Sequence, residues 1–458
     1  MATEFSSPIS PLTPALGPER PVVWPARHAA KLSCGLAVMM VEQHRVPKLT
    51  LQLLFRSGNS AVATSHPGLA DMTASVVRTG TKGRSGRQIE EELRRLGADL
   101  STGAGADSSA ISLGGLSEFS RQQLELLADL AGHANFPAEE FERERRNALE
   151  AVRIERTTPG FLAGERLRKT LFGAHPYAVV APTEAQVESY RREQLIDFYH
   201  AHYTPENAVL IAVGDFSAPA LLAQMEAAFR DWPGGQPPWQ PEAAPPKLQG
   251  RRVQLVHLPG SVQTQILLGN HAITRNHPDW LRLTLANSIY GGAFHSRLVA
   301  NIREQKGYTY SPRSSTHALR RLGYFSVSAA VRNEVVAATL TEIFYELDRM
   351  RDQPVGKEEL DDALAYLSGV FSLGIATQDG VAGQLATLLL NELPDNYLET
   401  YRQKIRALTA EDVLDAARKY FDSANAQIVV VGDAAQITAQ AATFGEVETY
   451  DAQGTRLA

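Results

Sequence analysis

Two stretches, Gln194–Asp215 (QLIDFYHAHYTPENAVLIAVGD) and Asp412–Asp433 (DVLDAARKYFDSANAQIVVVGD), lie over each other without a gap. Each reads as the end of an amphipathic helix, a polar turn holding Asn207 or Asn425, a buried apolar strand and then Gly-Asp. The elements before them repeat too. In the first half, Leu36–Val41 and Leu49–Phe55 read as strands, followed by a helix near Gly68–Arg78. Ser85-Gly86-Arg87-Gln88 has the form of a capping box, opening a helix with Ile89, Leu93 and Leu96 on one face and Gly97 at its end. A strand over Ser109–Leu113 and helices over Ser117–Gly132 and Pro137–Arg156 follow. In the second half, strands at Val253–Leu258 and Gln265–Gly269 precede helices at Asp279–Tyr290 and Ser296–Lys306. The strand Tyr324–Ala329 and helices over Glu334–Arg351 and Gly356–Leu373 complete the set.

Between the halves, DWPGGQPPWQPEAAPPK (Asp231–Lys247) has neither period, and its prolines make it a stiff spacer. The fold class that follows is α+β: two homologous domains, each a mostly antiparallel sheet packed with helices, related by internal duplication. We place an N-terminal arm at residues 1–27, an N-terminal domain at 28–230, a Pro-rich linker at 231–248 and a C-terminal domain at 249–458.

Composition narrows the function. A chain of 458 residues suits two domains or more. At 44% hydrophobic and 21% charged it is an ordinary globular protein, and a net charge of −6 gives no footprint for nucleic acid. One cysteine, Cys34, excludes an intrachain disulfide and a cysteine-built zinc site. No apolar run approaches a membrane span. The first residues lack a positive start followed by an apolar block, so no signal peptide is expected. The setting is cytoplasmic, or periplasmic if a leader has been removed.

The chemistry concentrates in YGGAFHSRLVANIREQKGYTYS, Tyr290–Ser311. Ser296 is read as an N-cap, Leu298, Val299 and Ile302 as the apolar stripe, and Gly307 as the stop before an extended segment at Tyr308–Tyr310. Overlaying Gly97 on Gly307 sets Leu93 opposite Arg303 and Leu100 opposite Tyr310. Two core leucines of one copy thus face a cation and a phenol in the other. A surface arginine and an amphipathic tyrosine are the bland alternative.

From residue 28 onward the chain resembles the pitrilysin-type zinc peptidases, and most closely their mitochondrial-processing-peptidase-like branch. Gly35-Leu36 with VEQHRVP, PGLADMTASVVRTGT, HPYAVVAPTEAQV, FYHAHYTPENAVLIAVGDF and YGGAFHSRLVANIREQKGYTY carry the likeness. In that family an inverted H-x-x-E-H motif places two zinc-binding histidines one helical turn apart, with the general base between them. Here its frame survives, Gly68-Leu69-Ala70 before and Gly80-Thr81 after, but the five positions between are Asp71, Met72, Thr73, Ala74 and Ser75. The family's third ligand would fall near Glu150 or Ala151. No metal is therefore expected in this chain, and Asp71, Ala74 and Ser75 mark a degenerate motif.

The resemblance implies that Arg303 and Tyr310 match a pair, seven residues apart, that points at substrate bound to a zinc-bearing domain. In two-subunit members that zinc lies on the other chain. The expectation is then a non-catalytic subunit of a bacterial-type heterodimeric zinc metalloendopeptidase. Its partner is a homologous zinc-bearing subunit with an intact H-x-x-E-H, and its substrate an extended peptide added to the partner's sheet edge. Arg303 and Tyr310 would bind substrate and stabilise developing charge, with Arg297 as a further substrate contact. The long glycine-rich loop of the mitochondrial non-catalytic subunit shrinks here to Gly291-Gly292. An inert structural or peptide-binding scaffold is the alternative. His200 and His202, two apart, are read as structural rather than as a metal pair, since the repeat puts Arg418 and Tyr420 there.

Overall fold

The computed structural model describes residues 23–238 and 243–457. The expected N-terminal arm therefore lies outside the described residues as far as residue 22, as do residues 239–242 of the linker. The first half contains strands β1 (His28–Lys31), β2 (Ala37–Glu42) and β3 (Lys48–Phe55), then helices α1 (Leu69–Val76) and α2 (Gly86–Leu96). Strands β4 (Asp99–Ala104) and β5 (Ser109–Leu116) follow. Five helices come next: α3 (Ser120–His133), α4 (Ala138–Glu155), α5 (Pro159–Phe172), α6 (Glu184–Ser189) and α7 (Arg192–His202). Strand β6 (Ala208–Gly214) and helix α8 (Ala218–Phe229) close it.

The second half opens with β7 (Arg252–His257), β8 (Gln263–Ala272) and α9 (Trp280–Asn287). Strands β9 (Arg313–Ala318) and β10 (Gly323–Arg332) precede α10 (Val336–Asp352), α11 (Lys357–Gly374) and α12 (Gln378–Leu390). Helices α13 (Tyr397–Arg406) and α14 (Ala410–Tyr420), strand β11 (Gln427–Gly432), helix α15 (Ala434–Ala441) and strand β12 (Val447–Tyr450) complete the chain.

Each half builds a six-stranded sheet, in the orders β1-β2-β6-β3-β5-β4 and β12-β7-β11-β8-β10-β9. The central hairpin pairs are antiparallel, while β6 runs parallel to β2 and β11 parallel to β7. The duplicated strands β6 and β11 are buried along their whole length. That burial explains why both are unbroken apolar runs: helices cover both faces of their sheets, so neither face has a polar side to show. In β6, Leu210 and Ala212 point into their own domain's core, whereas Val209, Ile211 and Val213 meet Val381 and Leu385 of α12. In β11, Ile428 and Val430 face inward, and Val429 and Val431 meet Leu162, Leu167 and Leu171 of α5. Each half thus sends one helix across to the sheet of the other. The boundary in sequence and the boundary in packing do not coincide.

Two local expectations need correction. The segment Tyr308–Tyr310 is not yet extended; the strand begins at Arg313. Carrying the ladder register through both sheets sets Leu100 opposite Pro312, both buried, and not opposite Tyr310. Ser296 does not cap a helix: its buried hydroxyl has no hydrogen-bond partner, and Val299–Gln305 is wound as a wider π-helix.

Candidate functional site

Helix α1 starts after Gly68, held at φ 80° where a side chain would be strained, and carries the degenerate motif. Asp71 accepts a hydrogen bond from Asn59 Nδ2 (2.7 Å), and Ser75 Oγ donates back to the Asp71 carbonyl (3.0 Å). Asp71 is accessible but lies where many protein atoms surround it. That desolvation raises its pKa, against hydrogen bonds from Asn59 and the Ala104 backbone. Ala74, at the position of the family's general base, is only 1% exposed. Glu150 is spent on a surface pair with Arg153 (2.6 Å).

A cleft of about 1100 Å³ opens beside Ser75 and Thr102, and several of its charges are held in ion pairs. Arg84 bonds Glu92 and Asp129, Arg78 bonds Glu90, and Arg143 bonds Glu140. Among the described residues no three His, Cys, Asp or Glu side chains come together as a metal centre would need. Asp71 alone of the five motif residues offers a ligand atom, so these residues do not fit zinc.

The second half differs at the helix that corresponds to α2. After α9 the backbone winds as π-helix over Ser288–Gly292, and again over Val299–Gln305. The residue after each terminal glycine reports the change. Ala98 N donates to the carbonyl of Leu93, whereas Tyr308 N donates to that of Ile302, one step further back (both 3.0 Å). Fully buried Ile302 therefore takes the core position of Leu93. Arg303 is the added residue, and it turns outward. Widened turns of this kind recur at functional sites.

The Arg303 side chain is 31% exposed, its guanidinium lies 4.8 Å from the ring centroid of Phe294, and among the described residues its one ion pair is with its neighbour Glu304 (3.1 Å). Tyr310, in the loop after Gly307, is 88% exposed. Both side chains are presented to solvent rather than packed into the domain. Arg297 is placed differently. Its Nε and Nη2 both donate to Glu359 (2.7 Å each), fixing the helix start against α11. Phe294 was invisible to pattern: an aromatic in this setting reads as core by default, yet it lies open beside Arg303.

His200 and His202 do not share a site. His200 is exposed, while His202 is buried with its Nδ1 3.0 Å from Ser57 Oγ. Burial pulls its pKa down to about 4. An unfolded histidine titrates near 6.5, so on acidification the unfolded chain takes up a proton that the native state refuses. Stability is whole above pH ~6.5 and falls as the pH drops toward about 4, by roughly 3 kcal/mol across the window. Urea midpoints at pH 7 and pH 5 are expected to show about 2 kcal/mol of this loss, and His202→Gln to reduce the slope.

Models of two families match the chain: "Insulinase (Peptidase family M16)" over residues 37–178 and "Peptidase M16 inactive domain" over residues 189–367. An uncharacterised zinc protease of Rickettsia bellii is 23% identical over 413 residues, 88% of this chain and 97% of the relative. One from Bacillus subtilis is 21% identical, covering 82% and 94%. Among solved structures, a peptidase M16 inactive domain from Pseudomonas fluorescens superposes with a TM-score of 0.82 at 29% identity, covering 89% of this chain and 98% of that one. A protease from Helicobacter pylori gives a TM-score of 0.83 at 21% identity, covering 89% and 100%.

Proposed function

This chain belongs to peptidase family M16, and from that membership we propose that it is the non-catalytic subunit of a two-chain zinc metalloendopeptidase. The partner is a homologous subunit that keeps the H-x-x-E-H motif, holds the zinc and supplies the general base. The part played by this chain is to place two hydrogen-bond donors, the Tyr310 hydroxyl and the Arg303 guanidinium, at the carbonyl groups of an extended peptide. One observation carries the proposal. The helix ending at Gly97 turns Leu93 into the core, whereas its duplicate ending at Gly307 carries an extra, part-exposed residue, Arg303, and Tyr310 stands 88% exposed in the loop that follows.

Donors fixed by the protein stabilise charge as it develops on a carbonyl oxygen and need no reorganisation at the moment of reaction. Arg303 is steadied by the face of Phe294, and its helix by the Arg297–Glu359 pair, so Arg297 acts here as a positioning residue. No helix among the described residues is long and apolar enough to cross a membrane. The alternative, a scaffold of the same fold, has no use for either donor.

The test is reconstitution. The purified chain alone is expected to give no peptide turnover, and a mixture with the H-x-x-E-H homologue to give a stable complex with chelator-sensitive turnover. Turnover by the partner that this chain does not increase would favour the scaffold.

A further inference from the structure

The two crossing helices meet their sheets alike, so one half serves as a control for the other. α5 carries Leu162-Ala163-Gly164 where α12 carries Val381-Ala382-Gly383, and each glycine borders a cavity over the outer strands of the sheet it crosses. Under α12 the cation in the cavity is answered. Asp379 accepts from Lys48 Nζ (2.8 Å) and from Thr50 Oγ1 (2.7 Å). Under α5 the same alignment puts Gly160 in place of Asp379 and Arg168 in place of Thr387.

The α5 cavity, about 300 Å³, has two guanidinium groups and no carboxylate in its lining. Arg168 Nε donates to the Tyr177 carbonyl (2.9 Å), and its two terminal nitrogens have no protein acceptor among the described residues. Arg313, exposed on the edge strand β9, makes no side-chain ion pair or hydrogen bond among the described residues. The carboxylate whose field reaches Arg168 is Asp107, and both of its oxygens are taken, by Tyr177 OH (2.5 Å) and by the Arg320 backbone N–H (2.9 Å). Neutral donors line the rest of the space: Ser315 and Gln265, with His317 Nε2 3.0 Å from Ser326 Oγ and its ring stacked on Tyr324 at 4.2 Å. Room for a ligand comes from Gly164, where an added Cβ would meet nothing within 4 Å.

Two like charges lining one pocket repel unless something negative sits between them, and planar guanidinium groups grip the two oxygens of a carboxylate or phosphate side by side. We propose that the α5 cavity is a binding site for a small oxyanion, a carboxylate or phosphate group held between Arg168 and Arg313. His317 fits this role. Burial, then the charges of Arg168 and Arg313, lower its pKa to about 4, so near pH 7 it is a neutral ring beside the anion rather than a third cation. This inference is independent of peptide turnover and stands or falls by itself.

Calorimetric titration of the full chain with inorganic phosphate and, separately, with succinate tests it. Saturable binding of at least one probe is expected. Phosphate alone would identify a phosphate site, and succinate alone a carboxylate site. Arg313→Gln, which breaks no hydrogen bond or ion pair among the described residues, is expected to weaken binding roughly tenfold or more. Gly164→Leu, which fills the cavity and leaves both charges in place, is expected to abolish it. Arg332→Gln, an exposed cation at the end of β10, is the control and leaves it unchanged. The bound anion is also expected to raise the His317 titration midpoint in an NMR pH series. The proposal is overturned if neither probe saturates, if Arg313→Gln binds as well as the parent, or if Arg332→Gln weakens binding equally.

Discussion

Tyr310→Phe, assayed in complex with the zinc-bearing homologue, is expected to lower turnover by about 10²–10³-fold, the usual effect of removing one preorganised donor from a developing oxyanion. The substitution deletes one oxygen from a side chain that is 88% exposed and has no packing to lose, so the fold and the complex are expected to persist. Arg303→Gln is expected to lower turnover as well. It also gives up the contact with Phe294, worth about 0.5–1 kcal/mol at an exposed site, and so softens the local structure slightly. Tyr345→Phe, at another exposed tyrosine, serves as the control. The readouts are kcat for a quenched peptide and the elution volume of the mixture. A loss of kcat with unchanged complex assigns Tyr310 to the reaction. Unchanged kcat would make this chain a scaffold.

The second large effect concerns stability. Leu385 of α12 and Leu171 of α5 are each fully buried against the sheet of the opposite half. Truncating either to alanine removes apolar contact and leaves a cavity, at a cost of about 2–5 kcal/mol. Because each helix belongs covalently to one half and packs in the other, both sheets are expected to register the loss. Hydrogen exchange followed by mass spectrometry would show faster exchange in β6 and in β11 for either variant. Loosening confined to one sheet would mean that the crossing helices do not couple the halves.

Much of this architecture was legible in the chain. The gapless match of Gln194–Asp215 with Asp412–Asp433 announced the duplication, and its strands are the fully buried β6 and β11. The capping box at Ser85 and Gln88 forms as spacing predicts, since both of its reciprocal bonds are local. What pattern missed was long-range. Helices α5 and α12 turn an apolar face to the other half's sheet, and nothing in their own sequence says which sheet that is. The overlay of Leu100 on Tyr310 failed because the loop after Gly307 is longer than the one after Gly97, so the strands come back into register only at Pro312. The departure of Asp71, Met72, Thr73, Ala74 and Ser75 from an H-x-x-E-H pattern was readable from five residues. The unanswered cations under α5 were not, since Arg168 and Arg313 meet only in three dimensions.

The π-wound turn before Gly307 shows how one of two duplicated helices can differ at its surface while its interior contacts stay the same. Exchanging a core leucine for arginine would have buried a charge and threatened the fold before any benefit arose. Adding a residue to the turn instead leaves the old interior contact to its neighbour and creates a fresh outward position open to any side chain. Deleting Arg303 is therefore expected to leave Ile302 in its core position and to remove the outward cation.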